Sequence, residues 1–290
     1  MHYIWLVAVP LMWSFVGILV KTASTMVGSS VITLSRFLFG ALFLAILILA
    51  RKGKLKITWK NSWIWLGVGG KSVNYLTENI ALRMGAASGN MVVMPLQAVF
   101  MAVVAVMFYK EKMTFKKVIS IVLCVLGSLI IGLRGRSLTV FFQDGLIPLV
   151  LFFLAAIGAG LHVISQKKLI ATMDSADMNF SVFFFATIAM SVPVPFSVGI
   201  TGITSFWAIF SLVMLGFITG ISFLIYAKAL KHVSLLVASL VGNSSVLFIL
   251  LWAWLFFGEP ITPQLVFGAA MMVVGLIMIN LPFPGDKVVQ

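Results

Sequence analysis

Phe108-Tyr109-Lys110-Glu111-Lys112-Met113-Thr114 and, 148 positions later, Phe256-Phe257-Gly258-Glu259-Pro260-Ile261-Thr262 are the two stretches that decide the fold. In both, a glutamate closes an apolar run and a threonine three residues on opens another, in a chain holding only 7 acidic residues. The match extends at the same offset without a gap. Upstream, Ala81-Leu82 falls on Ala229-Leu230, Phe100 on Phe248 and Ala105 on Ala253; downstream, Val118 falls on Val266, Val125 on Val273, Gly127 on Gly275 and Leu133 on Leu281. Self-similarity of this kind sets architecture before any local motif does. It divides the chain into an N-terminal half, 1–143, and a C-terminal half, 144–290.

The 290 residues are 62% hydrophobic and 9% charged, against about 45–50% and 25% in soluble domains. A soluble fold of this length has too much surface to hide so many apolar side chains from water, so the solvent is lipid. Runs of about 20 residues, enough to cross a hydrocarbon layer of ~30 Å as helix, recur ten times, near 3–21, 30–50, 62–82, 86–108, 115–133, 145–165, 179–199, 206–227, 234–257 and 264–281. The expectation is an all-α membrane protein of ten transmembrane helices. A transmembrane barrel requires alternating polarity, whereas Leu146 to Ile164 is apolar on both parities. Cys124, the single cysteine, has no disulfide partner and reads as a packing residue.

Five spans per half are an odd number, so the second half enters the bilayer upside down, with Glu111 inside and Glu259 outside. Inverted repeats suit a transporter, because one half can rock against the other around a midplane site. With the N-terminus in the cytoplasm, fourteen of the 20 Lys and Arg fall in inner loops and Arg83, Arg134 and Arg136 in outer ones. Both termini are therefore expected inside, at a cytoplasmic membrane. The net charge of +13 then reflects basic loops facing anionic lipid rather than a nucleic-acid surface. The first apolar run lacks a basic leader and reads as a retained helix.

Ionisable groups at membrane depth cost roughly 2.5–3.5 kcal/mol and point to function. Lys71 and Glu78, seven residues apart in the third span, share a helix face with Asn74 and Tyr75. The stripe offers a cation, hydrogen-bonding groups and an anion to a watery cavity. On one reading Lys71 receives a substrate carboxylate or phosphate and Glu78 an ammonium or proton; on the other, each charge pairs with a neighbouring helix. Trp13 and Ser14 in the first span, Asn90 and Gln97 in the fourth, Tyr226 in the eighth and Asn243 and Trp252 in the ninth are further binding candidates, the aromatic rings as pocket walls. His162 is a candidate for proton coupling. Pro95 and Gly242 are candidate hinges, and Glu111 and Glu259 either cap gates or pair with nearby lysines. Arg36 either snorkels to the outer interface or binds a ligand. Trp59, Trp63, Trp65 and Trp207 read as interfacial anchors. His2, His162 and His232 have no cysteine or paired carboxylate at ligand spacing, so neither a metal site nor a Ser-His-Asp triad is expected.

These residues resemble the drug/metabolite transporter superfamily, specifically its ten-helix EamA-type members. The resemblance rests on Trp13-Ser14 with Lys21 closing the first span, Arg36 in the second, the Ala-Leu pairs ending the third and eighth, Pro95 in the fourth, and Glu111 and Glu259. Gly268 to Asn280 also resembles the last helix of the small multidrug resistance transporters. Gly242-Asn243-Ser244-Ser245 stands where the family usually has a proline, and the first-helix glutamate of the small multidrug transporters is missing. The resemblance implies a secondary transporter and favours export or exchange, and the cation and anion of the Lys71–Glu78 stripe point to a small polar or zwitterionic, amino-acid-like metabolite bound between them. The transporter would work as a monomer or homodimer without a cofactor, with a coupling proton or counter-substrate. An organic-cation or multidrug transporter is the alternative, and an intramembrane lipid-modifying enzyme a more distant one.

Overall fold

A computed structural model describes residues 2–109, 114–133, 135, 137–196, 205–229 and 245–280. The long elements are α1 His2–Ser14, α2 Val16–Ala23, α3 Ser29–Lys52, α4 Ser62–Met84, α5 Val93–Tyr109, α6 Phe115–Leu133, α7 Leu146–Leu169, α8 Ser175–Ser191, α9 Phe206–Ala229, α10 Ser245–Phe257 and α11 Pro263–Asn280. Five stretches are long and apolar enough to cross a membrane unaided: Ser29–Lys52, Ala87–Phe108, Phe115–Leu133, Leu146–Leu169 and Phe206–Lys228. Ala8–Ala23, Phe248–Phe257 and Pro263–Met278 are shorter apolar helices. The expected count of ten is thus met only in part by length and apolarity. The polar stripe of α4 lowers its hydropathy, α8 has 17 residues, and much of the ninth expected span lies outside the described residues.

The first and fourth expected spans are irregular near the cavity. The first breaks at Phe15, between α1 and α2, where Ser14 Oγ donates back to Leu11 O at 2.7 Å, a bond that bends helices. The fourth opens as a 3₁₀ turn, Ala87–Val92, before continuing as α5. Glu259, just beyond α10, holds that turn: its carboxylate accepts from Ala87 N at 2.7 Å, Ser88 N at 3.3 Å and Ser88 Oγ at 2.6 Å.

On α3, Leu38, Leu42, Ile46 and Leu49 are exposed while Phe37, Ala41, Leu44 and Ile48 are buried. A helix apolar all round is matched to lipid on one side and protein on the other. Small residues then let helices approach closely. A Cβ on Gly158 of α7 would lie 2.5 Å from Gly70 O and 2.6 Å from Asn74 N of α4. Gly40 of α3 meets Gly216, Thr219 and Gly220 of α9 in the same way.

The α6–α11 contact has a further property. Gly127 faces Gly268, Gly275 faces Ser120, and Cys124 Sγ donates to Met272 O at 3.8 Å, 148 positions away. Numbers rising on one helix meet numbers falling on the other, so the two helices run antiparallel. The 148-residue offset exchanges the Gly127–Gly268 and Ser120–Gly275 contacts, so the packing is locally two-fold.

Candidate functional site

α4 is started by Asn61, whose side-chain oxygen accepts from Trp63 N at 3.0 Å. Gly67 and Gly70 pack it against α7, which turns the stripe Lys71, Asn74, Tyr75 and Glu78 into the bundle. All four are buried, and all four line one cavity of about 80 Å³, room for several waters. Asn74 bridges the helices: its Nδ2 donates to Ala155 O at 3.0 Å while its Oδ1 accepts from Lys71 Nζ at 2.8 Å. The Lys71 ammonium also lies 4.3 Å from the Tyr75 ring centre and 4.2 Å from that of Phe223, within cation–π range. Among the described residues it has no carboxylate partner.

Glu78 pairs with Arg36 of α3. Arg36 Nη1 donates to Glu78 Oε2 at 2.8 Å and to Asn79 Oδ1 at 3.1 Å, and the guanidinium lies 3.4 Å over the Tyr75 ring. Asn79 Nδ2 donates in turn to Thr33 Oγ1 at 2.8 Å. Arg36 is only 3% exposed, which corrects the snorkelling alternative: a carboxylate, an amide oxygen and a ring face hold the guanidinium in place. The Tyr75 hydroxyl and Thr219 Oγ1 are 3.1 Å apart.

The opposite wall comes from other helices. Trp13 Nε1 donates to Ser222 Oγ at 2.8 Å, and its ring meets Phe223 at 5.5 Å and Tyr226 at 5.3 Å. Asn90, Gln97, His162 and Ser245 complete the polar lining. Arg36 Nε, Asn90 Oδ1 and Ser245 Oγ are buried without a hydrogen-bond partner among the described residues, so water or a ligand is their natural complement.

The cavity thus brings together Trp13, Lys71, Asn74, Tyr75, Glu78, Gln97, His162 and Tyr226. It does not include Ser14 or Trp252, which bond to each other, Trp252 Nε1 donating to Ser14 Oγ at 2.9 Å, with Trp252 stacked on Phe15. Pro95 lies near the start of α5, three residues beyond the 3₁₀ turn. Glu259 is a cap on the 3₁₀ turn and is not part of the wall. Glu111, Gly242 and Asn243 lie outside the described residues. The sequence reading missed Arg36 as the partner of Glu78, and Phe223 beside Lys71. The signal for Arg36 was its place one turn from Thr33 on the face of α3 that meets α4. Among the described residues, no group of three or more His, Cys, Asp or Glu could hold a metal.

A solved structure recorded only as "Crystal structure of protein" superposes with a TM-score of 0.68 at 17% identity, over 96% of this chain and 95% of that one. At that identity the likeness establishes the fold alone. No curated protein matches the chain. The EamA-like transporter family matches residues 1–133 and 146–281, one match to each half. Set beside a buried polar cavity in an apolar helical bundle, this match over most of the chain gives the assignment: the protein belongs to the EamA-like transporter family, membrane transporters of the drug/metabolite superfamily rather than enzymes.

Proposed function

We propose that the protein carries a small polar metabolite across the cytoplasmic membrane by alternating access between two inverted five-helix halves, 1–143 and 144–290, both termini lying inside. The observation that carries this reading is a buried cavity lined from both halves, by Lys71, Asn74, Tyr75 and Glu78 on one side and His162, Phe223, Tyr226 and Ser245 on the other. A site between two halves can be exposed to either face by rocking one against the other. The antiparallel, locally two-fold α6–α11 packing supports the inversion. The family resemblance favours export or exchange, and His162 is the coupling candidate. Two cations in the cavity wall, Lys71 and Arg36, oppose the organic-cation alternative.

The test begins with a melting-temperature screen of purified protein against amino acids, small carboxylates, nucleosides and quaternary amines, since a ligand of the folded state raises the midpoint. Uptake of each stabilising compound is then measured in proteoliposomes. Transport by the wild type that Lys71→Ala abolishes is the expected result. Wild-type transport by Lys71→Ala, or none of any stabilising compound by the wild type, overturns the reading.

A further inference from the structure

We propose that the cavity selects a small organic monoanion, one carboxylate on an apolar or aromatic body, and discriminates against the matching zwitterion and amine. The proposal rests on the transporter reading above and adds the charge class of its substrate.

A count of carboxylates carries it. The chain has seven acidic residues: Glu78, Glu111, Asp144, Asp174, Asp177, Glu259 and Asp286. Glu259 is engaged at the 3₁₀ turn, and Asp174 and Asp177 meet Lys52 at the end of α3. Asp144 precedes α7, Glu111 follows the fourth apolar run and Asp286 lies near the C-terminus. The undescribed segment 230–244 contains no acidic residue at all. Glu78 is therefore the one carboxylate the sequence puts in the middle of a span, and Arg36 already occupies it at 2.8 Å.

Lys71 is 4% exposed and, among the described residues, has no carboxylate within ion-pair distance. Asn74 takes one of its three N–H donors. The rings of Tyr75 and Phe223 attract the charge without neutralising it. A buried charge calls for a partner, and a ligand carboxylate supplies one. An α-ammonium on the same ligand would need a second anion, and the only carboxylate among the described lining residues is already bonded to Arg36. His162, the other titratable group facing the cavity from α7, is either neutral or a further cation, so it does not reverse the preference. The rings of Trp13, Phe223 and Tyr226 form an apolar wall for the ligand body.

The test uses two matched sets that differ only in charged groups: 4-methylpentanoate, leucine and 3-methylbutylamine, and 3-phenylpropanoate, phenylalanine and 2-phenylethylamine. Binding to the purified full-length chain is measured by calorimetry and thermal shift. At least one carboxylate should bind about tenfold or more tighter than its zwitterion and amine, the scale of a charge-assisted bond. Lys71→Met should erase that advantage and Lys71→Arg should keep it. The comparison among ligands on the unmodified chain stands even if a variant fails to fold. A zwitterion or amine binding as tightly as its carboxylate, or no carboxylate binding, overturns the proposal. Proteoliposome uptake separates the two claims. A zwitterion that is carried removes charge selection and leaves transport standing; a carboxylate that binds without being carried does the opposite.

Discussion

Arg36 Nη1 and Glu78 Oε2 meet at 2.8 Å between α3 and α4, with side chains only 3% and 8% exposed. Tyr75 lies under the guanidinium at 3.4 Å, and Asn79 and Thr33 extend the network on the other side. The pair ties two helices together and fixes the charge that the cavity presents, because Glu78 is spent on Arg36 and Lys71 is not.

Removing one member of such a pair leaves the other charge buried without its counter-ion. Glu78→Gln and Arg36→Gln should each lower stability by about 3–5 kcal/mol. The double variant Arg36→Met with Glu78→Met strands neither charge and should recover more than half of the summed loss. Thermal melts in a single detergent read all three. Additive losses would show that the two residues do not act as a pair.

Much of the fold was legible because the distance from lipid to water is written in hydropathy. The fifth expected span, 115–133, coincides with α6, Phe115–Leu133, and the third, 62–82, with α4, Ser62–Met84. The stripe at positions 71, 74, 75 and 78 was legible for a related reason: helical periodicity alone puts those residues on one face. The partner of Glu78 was not legible, since it depends on how α3 is rotated relative to α4, which no single-helix pattern records. The same holds for the tryptophans. Trp13 and Trp252 looked equivalent as pocket walls, yet Trp252 is drawn away by Ser14, and the Ser14 hydroxyl in turn bonds back to Leu11 where the first span breaks.

A second ion pair joins α3 to α8 at their ends: Lys52 Nζ lies 2.9 Å from Asp174 and 3.1 Å from Asp177. Partial burial would raise the Asp174 carboxyl, but the hydrogen bonds from Lys52 and from Ala176 N outweigh it and hold the group below its ordinary 3.8. A depressed carboxyl contributes stability above its unfolded value, and that stability is lost as pH falls through the lower folded value. The side chains are 39% and 48% exposed, so the contribution is under about 1 kcal/mol and screened by salt. Lys52→Met should therefore melt slightly below the wild type at pH 7 in low salt. The gap should close as pH drops below 3.8, and at about 1 M salt, where the screening length is near 3 Å. A gap unchanged by acid and salt would assign Lys52 a packing role instead.

The direction of α11 against α6 is testable by cross-linking. A Cβ on Gly275 would lie 2.8 Å from Cys124 Sγ, and one on Gly268 would lie 2.9 Å from Ile131 Cγ1, close enough for disulfides once cysteines are present. Two variants follow: Gly275→Cys with the native Cys124, and Gly268→Cys with Ile131→Cys in a Cys124→Ser background. Each carries a protease site inserted between residues 134 and 145. After treatment with a membrane-permeable oxidant and cleavage, the halves should stay joined on a non-reducing gel and separate on reduction. Cys124 with Gly268→Cys, and Ile131→Cys with Gly275→Cys, should not link. Antiparallel helices pair the lower-numbered cysteine of α6 with the higher-numbered one of α11, whereas parallel helices would link the two sets now expected to be silent. Cross-links in those sets alone would put the halves the same way up and remove the basis for alternating access through an inverted pair.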